Sequence, residues 1–322
     1  MKTIRLILAI FAFASLLGAA ACGQATARLT ATPEATATVW PPAGTIAFSK
    51  SKGGNGADLY LIHADGAGLV QLTNEKVWNE SPSWSPDGTS IAYHTSQNFR
   101  DSGTVRVINA DGSGQVQLTD LPKDSRWPAW SPDGSQIAFS ANLPETNTYR
   151  IQLMNADGSN LRRLTDGVTN DIFPTWAPNG TILFIRKLER ITLLTGDVFS
   201  MKPDGTGITQ LTTDGYVGGY ALSPDGMKMA YYDTAKRQIA VIPTEASGAP
   251  VILVDMVTFL NSFTGCIFMA LSWSPDGQAL ALACHDLITQ YGSDLYIIKA
   301  DGRGGSKVPN TEGTFDPVWS PK

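Results

Sequence analysis

Histidine and cysteine are scarce, with three of each in 322 residues. His63, His94 and His285 are too few for a His-rich metal centre or for several histidine-based catalytic groups. Charge is thin as well: 16% of residues are charged, against the usual quarter. The 24 Lys and Arg do not match the 29 Asp and Glu, and the net charge of -5 lacks the basic surplus that a phosphate-binding surface needs. General nucleic-acid binding is thereby excluded. Long apolar runs are missing beyond one near the start, which excludes a membrane protein with several helical spans. There is no Gly-x-Ser-x-Gly elbow, His-Glu-x-x-His pair or phosphate-binding glycine loop, so no catalytic residue, cofactor or metal site is expected from local motifs. A hydrophobic fraction of 43% with this modest net charge excludes disorder of the whole chain. Turn formers are plentiful instead, with 31 Gly and 19 Pro spread along the chain.

The start of the chain reads as an address. Lys2 and Arg5 precede the apolar and small-residue run Leu6 to Leu17, and Gly18-Ala19-Ala20-Ala21-Cys22 follows. This is the layout of a secretory signal peptide over 1–21, with a core too short to span a bilayer as a helix. Ala19-Ala20-Ala21-Cys22 resembles a bacterial lipobox, with Ala19 where leucine is usual. Two outcomes stay open: lipidation at Cys22, which is favoured, or ordinary cleavage after an alanine. Loss of Lys2 and Arg5 would take the net charge from -5 to -7. Residues 22–43 are rich in Ala, Thr and Pro without apolar periodicity, and are expected to form a disordered tether.

The rest is one motif repeated. Trp84-Ser85-Pro86-Asp87-Gly88 returns at Trp130, at Trp176 (as Trp-Ala-Pro-Asn-Gly), at Leu222 and at Trp273, and the chain ends on Trp319-Ser320-Pro321-Lys322. The spacings are 46, 46, 46, 51 and 46. A second motif keeps step: Asn109-Ala110-Asp111-Gly112 leads to Val116-Gln117-Leu118-Thr119, with counterparts from His63, Asn155, Lys202 and Lys299. Each unit reads as four short strands, with Asp-Gly hairpin turns after the first and the third. A single unit of about 46 residues cannot bury both faces and must stack on neighbours.

The ends of the array complement one another. The last unit stops after its first strand, Phe315 to Trp319, and the first unit opens at a second strand, Thr45 to Phe48. Joining them rebuilds a whole repeat and closes a ring of six four-stranded blades over 44–322. Residues 35–39, ahead of Trp40, are the rival for the missing strand. The C-terminal partner is preferred because Pro317 sits two before its Trp, as Pro82, Pro128 and Pro174 do.

These units resemble the TolB-type propeller repeats, relatives of the WD-repeat group, over nearly all of 44–322. The resemblance implies an all-β, six-bladed propeller of a kind often found in envelope proteins that bind other proteins. TolB itself carries an extra N-terminal α/β domain; a tether is expected in its place here, so TolB's role in the Tol–Pal system is not carried over.

Several residues are singled out. Cys266 and Cys284 flank the turn Ser274-Pro275-Asp276-Gly277. A hairpin centred between 275 and 276 pairs positions totalling about 551, and these two total 550, so a disulfide is expected slightly ahead of two buried thiols. The Asp-Gly turns are read as hairpin chemistry and not as calcium loops, whose ligand spacing is missing. His63 is expected in a solvated turn, and His94 and His285 after second strands. The loops leading into each first strand carry Trp78, Trp127, Phe173, Tyr216, Tyr220, Phe259, Phe263 and Phe315. Such loops gather on one face of a propeller, where the aromatics either supply contact area for a ligand or fill gaps between blades.

The functional expectation is a non-enzymatic, monomeric propeller, lipid-anchored outside the cytoplasm in the cell envelope (periplasm or cell surface), presenting a protein- or glycan-binding face. The alternatives are a glycan lyase or hydrolase with its site at the channel mouth, and an accessory or sensor subunit of an envelope complex.

Overall fold

The computed structural model describes residues 44–98, 102–120, 124–143, 148–187, 195–244, 250–256, 268–285 and 293–322. The leader 1–21, Cys22, the remainder of the tether, Phe259, Phe263 and Cys266 lie outside the described residues. The fold is an all-β propeller: four-stranded antiparallel sheets stand around a channel.

Four of the sheets are separate. An eight-stranded sheet holds two further four-strand groups, which meet through the single parallel pair Ala57↔Trp78. Within it, Thr45–Ser51 pairs on one side with Ala57–His63 and on the other with the C-terminal strand Thr314–Trp319. The latter register is Ile46↔Trp319, Ala47↔Val318, Ser49↔Phe315 and Lys50↔Thr314.

The inner strands are Trp78–Trp84, Ser125–Trp130, Asn170–Trp176, Val217–Leu222, Phe268–Trp273 and Thr314–Trp319. Most share a bulge three residues before the motif Trp or Leu. Ser81, Trp127, Phe173 and Asp316 have φ between 51° and 55° there, and Gly219 has 153°. Register slips at the same place, as between Glu80 and Ser83 or Arg126 and Ala129. The bulge leaves a residue unpaired, and so Pro82, Pro128, Pro174 and Pro317, which have no N–H to donate, are tolerated in the next position. Phe268–Trp273 has continuous pairing and Leu271 in that position, bonded in register to Leu282.

The motif residues have local work. Ser85 Oγ donates to Asp87 Oδ1 and accepts from Ser90 N, while Asp87 Oδ1 also accepts from Thr89 N. The same net recurs around Ser131–Asp133, Ser223–Asp225 and Ser274–Asp276. The glycine after each Asp or Asn has φ of 68–82° (Gly88, Gly134, Gly180, Gly226, Gly277), a region that side chains avoid. The Thr of each Leu-Thr pair is a cap: Thr73, Thr119, Thr165 and Thr212 accept, through Oγ1, the N–H of Leu59, Val105, Ile151 and Val198.

The core lies between the sheets. Ile46, Phe48 and Ile62 pack with Ala279, Ala281, Leu295, Ile297 and Trp319 in one such layer. The motif tryptophans also bond across it: Trp84, Trp176 and Trp273 donate Nε1–H to the carbonyls of Val318, Ala129 and Ala221.

One expected register is corrected. The hairpin after Trp273 is centred on Asp276-Gly277, because the six-residue turn closes with Ser274 N bonded to Ala279 O and Ala279 N to Ser274 Oγ. Pairing therefore runs Trp273↔Leu280 to Met269↔Cys284, so Met269 and not Cys266 opposes Cys284. Cys284 is buried and disulfide-bonded. His94 also differs from expectation, lying inside the strand Ser90–Ser96 and not after it.

Candidate binding site at the channel mouth

The inner strands line the channel, and their bulges form its mouth. A cavity of about 160 Å³ there is bounded by Ser81, Trp127, Phe173, Gly219, Ala270 and Asp316, with Pro82, Pro128, Pro174, Tyr220, Leu271 and Pro317 below them. The three prolines Pro82, Pro128 and Pro174, with Tyr220 and Leu271, also bound a second cavity of about 480 Å³ on the other side, so they make the waist of the channel.

The bulge turns Trp127 and Phe173 toward each other. Their ring centroids are 4.3 Å apart at 47°, and Tyr149 packs on Trp127 at 5.2 Å and 51°. Both bulge aromatics are half-buried. Tyr220 lies beneath, almost wholly buried, and donates its hydroxyl to Phe173 O at 2.8 Å. Burial pushes the Tyr220 hydroxyl far above its ordinary range, so it remains a neutral donor.

Charged groups near this mouth are paired within the protein. Arg126 Nε lies 2.7 Å from both carboxylate oxygens of Asp124, which also accepts from the Tyr149 hydroxyl. Burial opposes the Arg126 charge, but Asp124 outweighs it and the guanidinium is held above its ordinary value. Burial, with the Asp124 charge, drives the Tyr149 hydroxyl well upward. His94 Nε2 lies 3.1 Å from Glu80 Oε2, both side chains nearly inaccessible. Ser81 Oγ donates to Asp316 Oδ2 at 2.8 Å. The cavity lining contains one carboxylate, Asp316, and no histidine. Among the described residues no group of three or more His, Cys, Asp or Glu side chains is placed to hold a metal.

The predicted aromatics thus divide. Trp127, Phe173 and Tyr220 converge on the mouth. Trp78 and Phe315 are buried together against Ala57, where the two strand groups of the eight-stranded sheet meet. Tyr216 is 53% exposed beside a separate cleft. Tyr149 escaped the sequence reading because it sits on a strand, Thr148–Asn155, and not in a loop. His63 lies at the exposed end of a strand, 3.4 Å from Thr45 Oγ1.

Residues 98–322 match the family model of the TolB beta propeller domain. The chain belongs to the TolB β-propeller family. No curated protein matches this TolB-type propeller significantly by sequence. Among solved structures it is similar to TolB from Acinetobacter baumannii, with a TM-score of 0.71 and 20% identity over 87% of this chain and 67% of that one. A chain of a nidogen/laminin complex aligns with a TM-score of 0.64 and 10% identity, over 86% of this chain and 98% of that one. An oligogalacturonate lyase from Vibrio parahaemolyticus aligns with a TM-score of 0.53 and 12% identity, over 81% and 78%. At these identities the likeness concerns the fold.

Proposed function

We propose that this TolB-type propeller is a non-enzymatic, monomeric binding protein of the cell envelope, carried on a lipid at Cys22 and a tether over 22–43. Its propeller has six blades, and the C-terminal strand completes the blade opened by Thr45–Ser51. Support for six comes from bonds between successive inner strands: Trp84 to Val318, Trp130 N to Ser83 Oγ, Trp176 to Ala129, Tyr220 to Phe173, Trp273 to Ala221, and Trp319 N to Ser272 Oγ. Followed in order, they return to their start.

The binding face is the aromatic mouth. One observation carries this reading: Trp127 and Phe173 occupy left-handed backbone positions that glycine would fill without strain. A bulky residue there costs about 1–2 kcal/mol. Turn geometry explains the bulge, which recurs around the ring, but not two large aromatics in it. Their use is contact area, at a mouth whose charges are already paired. A dry cavity of roughly 150 Å³ accepts a benzene-sized guest, so the 160 Å³ space suits one apolar group. The ligand is an envelope protein offering such a side chain, or a glycan offering the apolar face of a sugar ring.

Capture from detergent-solubilised membranes tests this, with the whole protein beside Phe173→Gly, which relieves the backbone and removes the ring. A specific protein or glycan held by the parent and released by the variant is expected. Equal capture by both removes the mouth as the binding face.

A further inference from the structure

A second cleft lies away from the channel. Its volume is about 260 Å³, and its apolar walls include Leu211, Tyr216 and Ile242. Leu211 to Tyr216 leads into the inner strand Val217–Leu222, while Tyr231 and Asp233 come from the next strand, Lys228–Asp233. Thr234 pins the backbone of Tyr216, donating both its N–H and its hydroxyl to Tyr216 O at 3.0 Å. The Tyr216 ring is thereby held 53% exposed.

The polar end of the cleft is incompletely matched. Asp233 is 3% exposed and Asp214 67%, and both face one ammonium: Lys236 Nζ is 2.9 Å from Asp233 Oδ2 and 3.7 Å from Asp214 Oδ2. Two carboxylates against one cation leave a net negative charge. Tyr231 is 8% exposed and its hydroxyl has no hydrogen-bond partner among the described residues. Burial first, then the charge of Asp233, raises the pKa of that hydroxyl, which places it beside the carboxylates as a neutral group. A tyrosine side chain so far buried, with its hydroxyl open to the cleft and not bonded within the described residues, is available to a guest.

We propose that this cleft binds an organic cation with an apolar stem, an ammonium or guanidinium group that displaces Lys236 from Asp214 and Asp233. The stem lies along Leu211 and Ile242, the Tyr231 oxygen accepts a hydrogen bond from the charged head, and the exposed Tyr216 face adds a cation–π contact. Lys236 acts as a resident competitor. Its position, 57% exposed on the Asp233–Gln238 turn, lets it swing out without disturbing the sheet.

The chemistry is shared by a basic side chain of a partner protein and by a free polyamine. Calorimetry or NMR titration of the full chain with Nα-acetyl-lysine methylamide, Nα-acetyl-arginine amide and spermidine separates them: tighter binding of the blocked amino acids assigns a protein partner, and tighter binding of spermidine a polyamine. Lys236→Ala should tighten binding about fivefold or more, by removing the competitor. Tyr231→Phe, which keeps the ring, and Asp214→Asn should each weaken it about threefold or more. Trp127→Ala should leave it unchanged, so the outcome is independent of the channel mouth. No binding by any probe, or affinity unmoved by Lys236→Ala and Tyr231→Phe, as for general attraction to an acidic surface, overturns the proposal.

Discussion

The Trp127 and Phe173 rings meet at 4.3 Å across the channel mouth, from neighbouring inner strands and from equivalent left-handed bulge positions. Their contact returns part of the strain of those positions, but both rings remain half-buried. Trp78 has the opposite situation, 4% exposed and enclosed by Ala57 and Phe315. Trp78→Ala should therefore cost about 3–5 kcal/mol, the range for emptying a buried aromatic site. Trp127→Ala should cost under about 2 kcal/mol, because a smaller area leaves its packing. Denaturant unfolding of the two variants checks the difference, and equal costs would assign Trp127 to structural filling.

Repetition made the strand plan legible, since Trp-Ser-Pro-Asp-Gly and Ala-Asp-Gly, or close variants of them, mark the two hairpin turns of most units. The pairing of Thr314–Trp319 with Thr45–Ser51 was legible too, through the common place of Pro317, Pro82, Pro128 and Pro174. What those prolines meant was not. Each follows a bulge whose left-handed residue bears no common identity: Ser81, Trp127, Phe173, Asp316. A periodic sequence pattern tells which residues share a strand, but a bulge shifts the pleat by one and sends a side chain into the channel. For the same reason the loop aromatics could not be sorted in advance into Trp78, which fills, and Trp127, which faces the cavity. The cleft beside Tyr216 left no signal at all, because Leu211, Asp214 and Tyr216 meet Tyr231 and Asp233 only once Val217–Leu222 pairs with Lys228–Asp233.

Removal of residues 314–322 should abolish the cooperative melt. It strips the partner from Thr45–Ser51 and uncovers Ile46 and Phe48, both fully buried. It also deletes the Val318 carbonyl that accepts from Trp84. Circular dichroism during heating, with gel filtration for aggregation through the opened edge, reads the outcome. A truncated chain with an unchanged melting temperature would mean that this strand does not close the ring.

The disulfide of Cys284 should be with Cys266. In a Cys22→Ser chain, thiol titration after denaturation without reductant should find no free thiol, and two free thiols would rule the pair out. Met269 opposes Cys284 on the neighbouring strand, so the bridge would not be a cross-strand pair within Phe268–Trp273. Reduction should lower stability by about 3 kcal/mol, the entropic value for closing a loop of roughly 15 residues.

The turn aspartates should make stability fall in acid over a defined window. Asp87 is held at about 2, by the Ser85 hydroxyl first and then by the Thr89 N–H and hydroxyl, and Asp133 at about 2 by Ser131 and Ser135. Asp111, Asp157, Asp204 and Asp225 are lowered in the same way. Each value is depressed on folding, so the unfolded chain binds more protons as pH drops through the ordinary 3.8. The contribution is complete above that pH, shrinks from there to about 2, and is absent below. The third repeat provides the neutral control within the same molecule: Asn179 Oδ1 accepts the Thr181 N–H at 3.0 Å, and the turn forms without a carboxylate. Asp87→Asn with Asp133→Asn should therefore fold, and should flatten the decline of the denaturation midpoint between pH 4 and pH 2. Side-chain carbonyl NMR provides the direct measure, with Asp87 and Asp133 expected to titrate near 2. Titration of both at the ordinary value would mean that the serine hydroxyls and backbone N–H groups do not favour the charged form, and that these turns add nothing to the acid sensitivity.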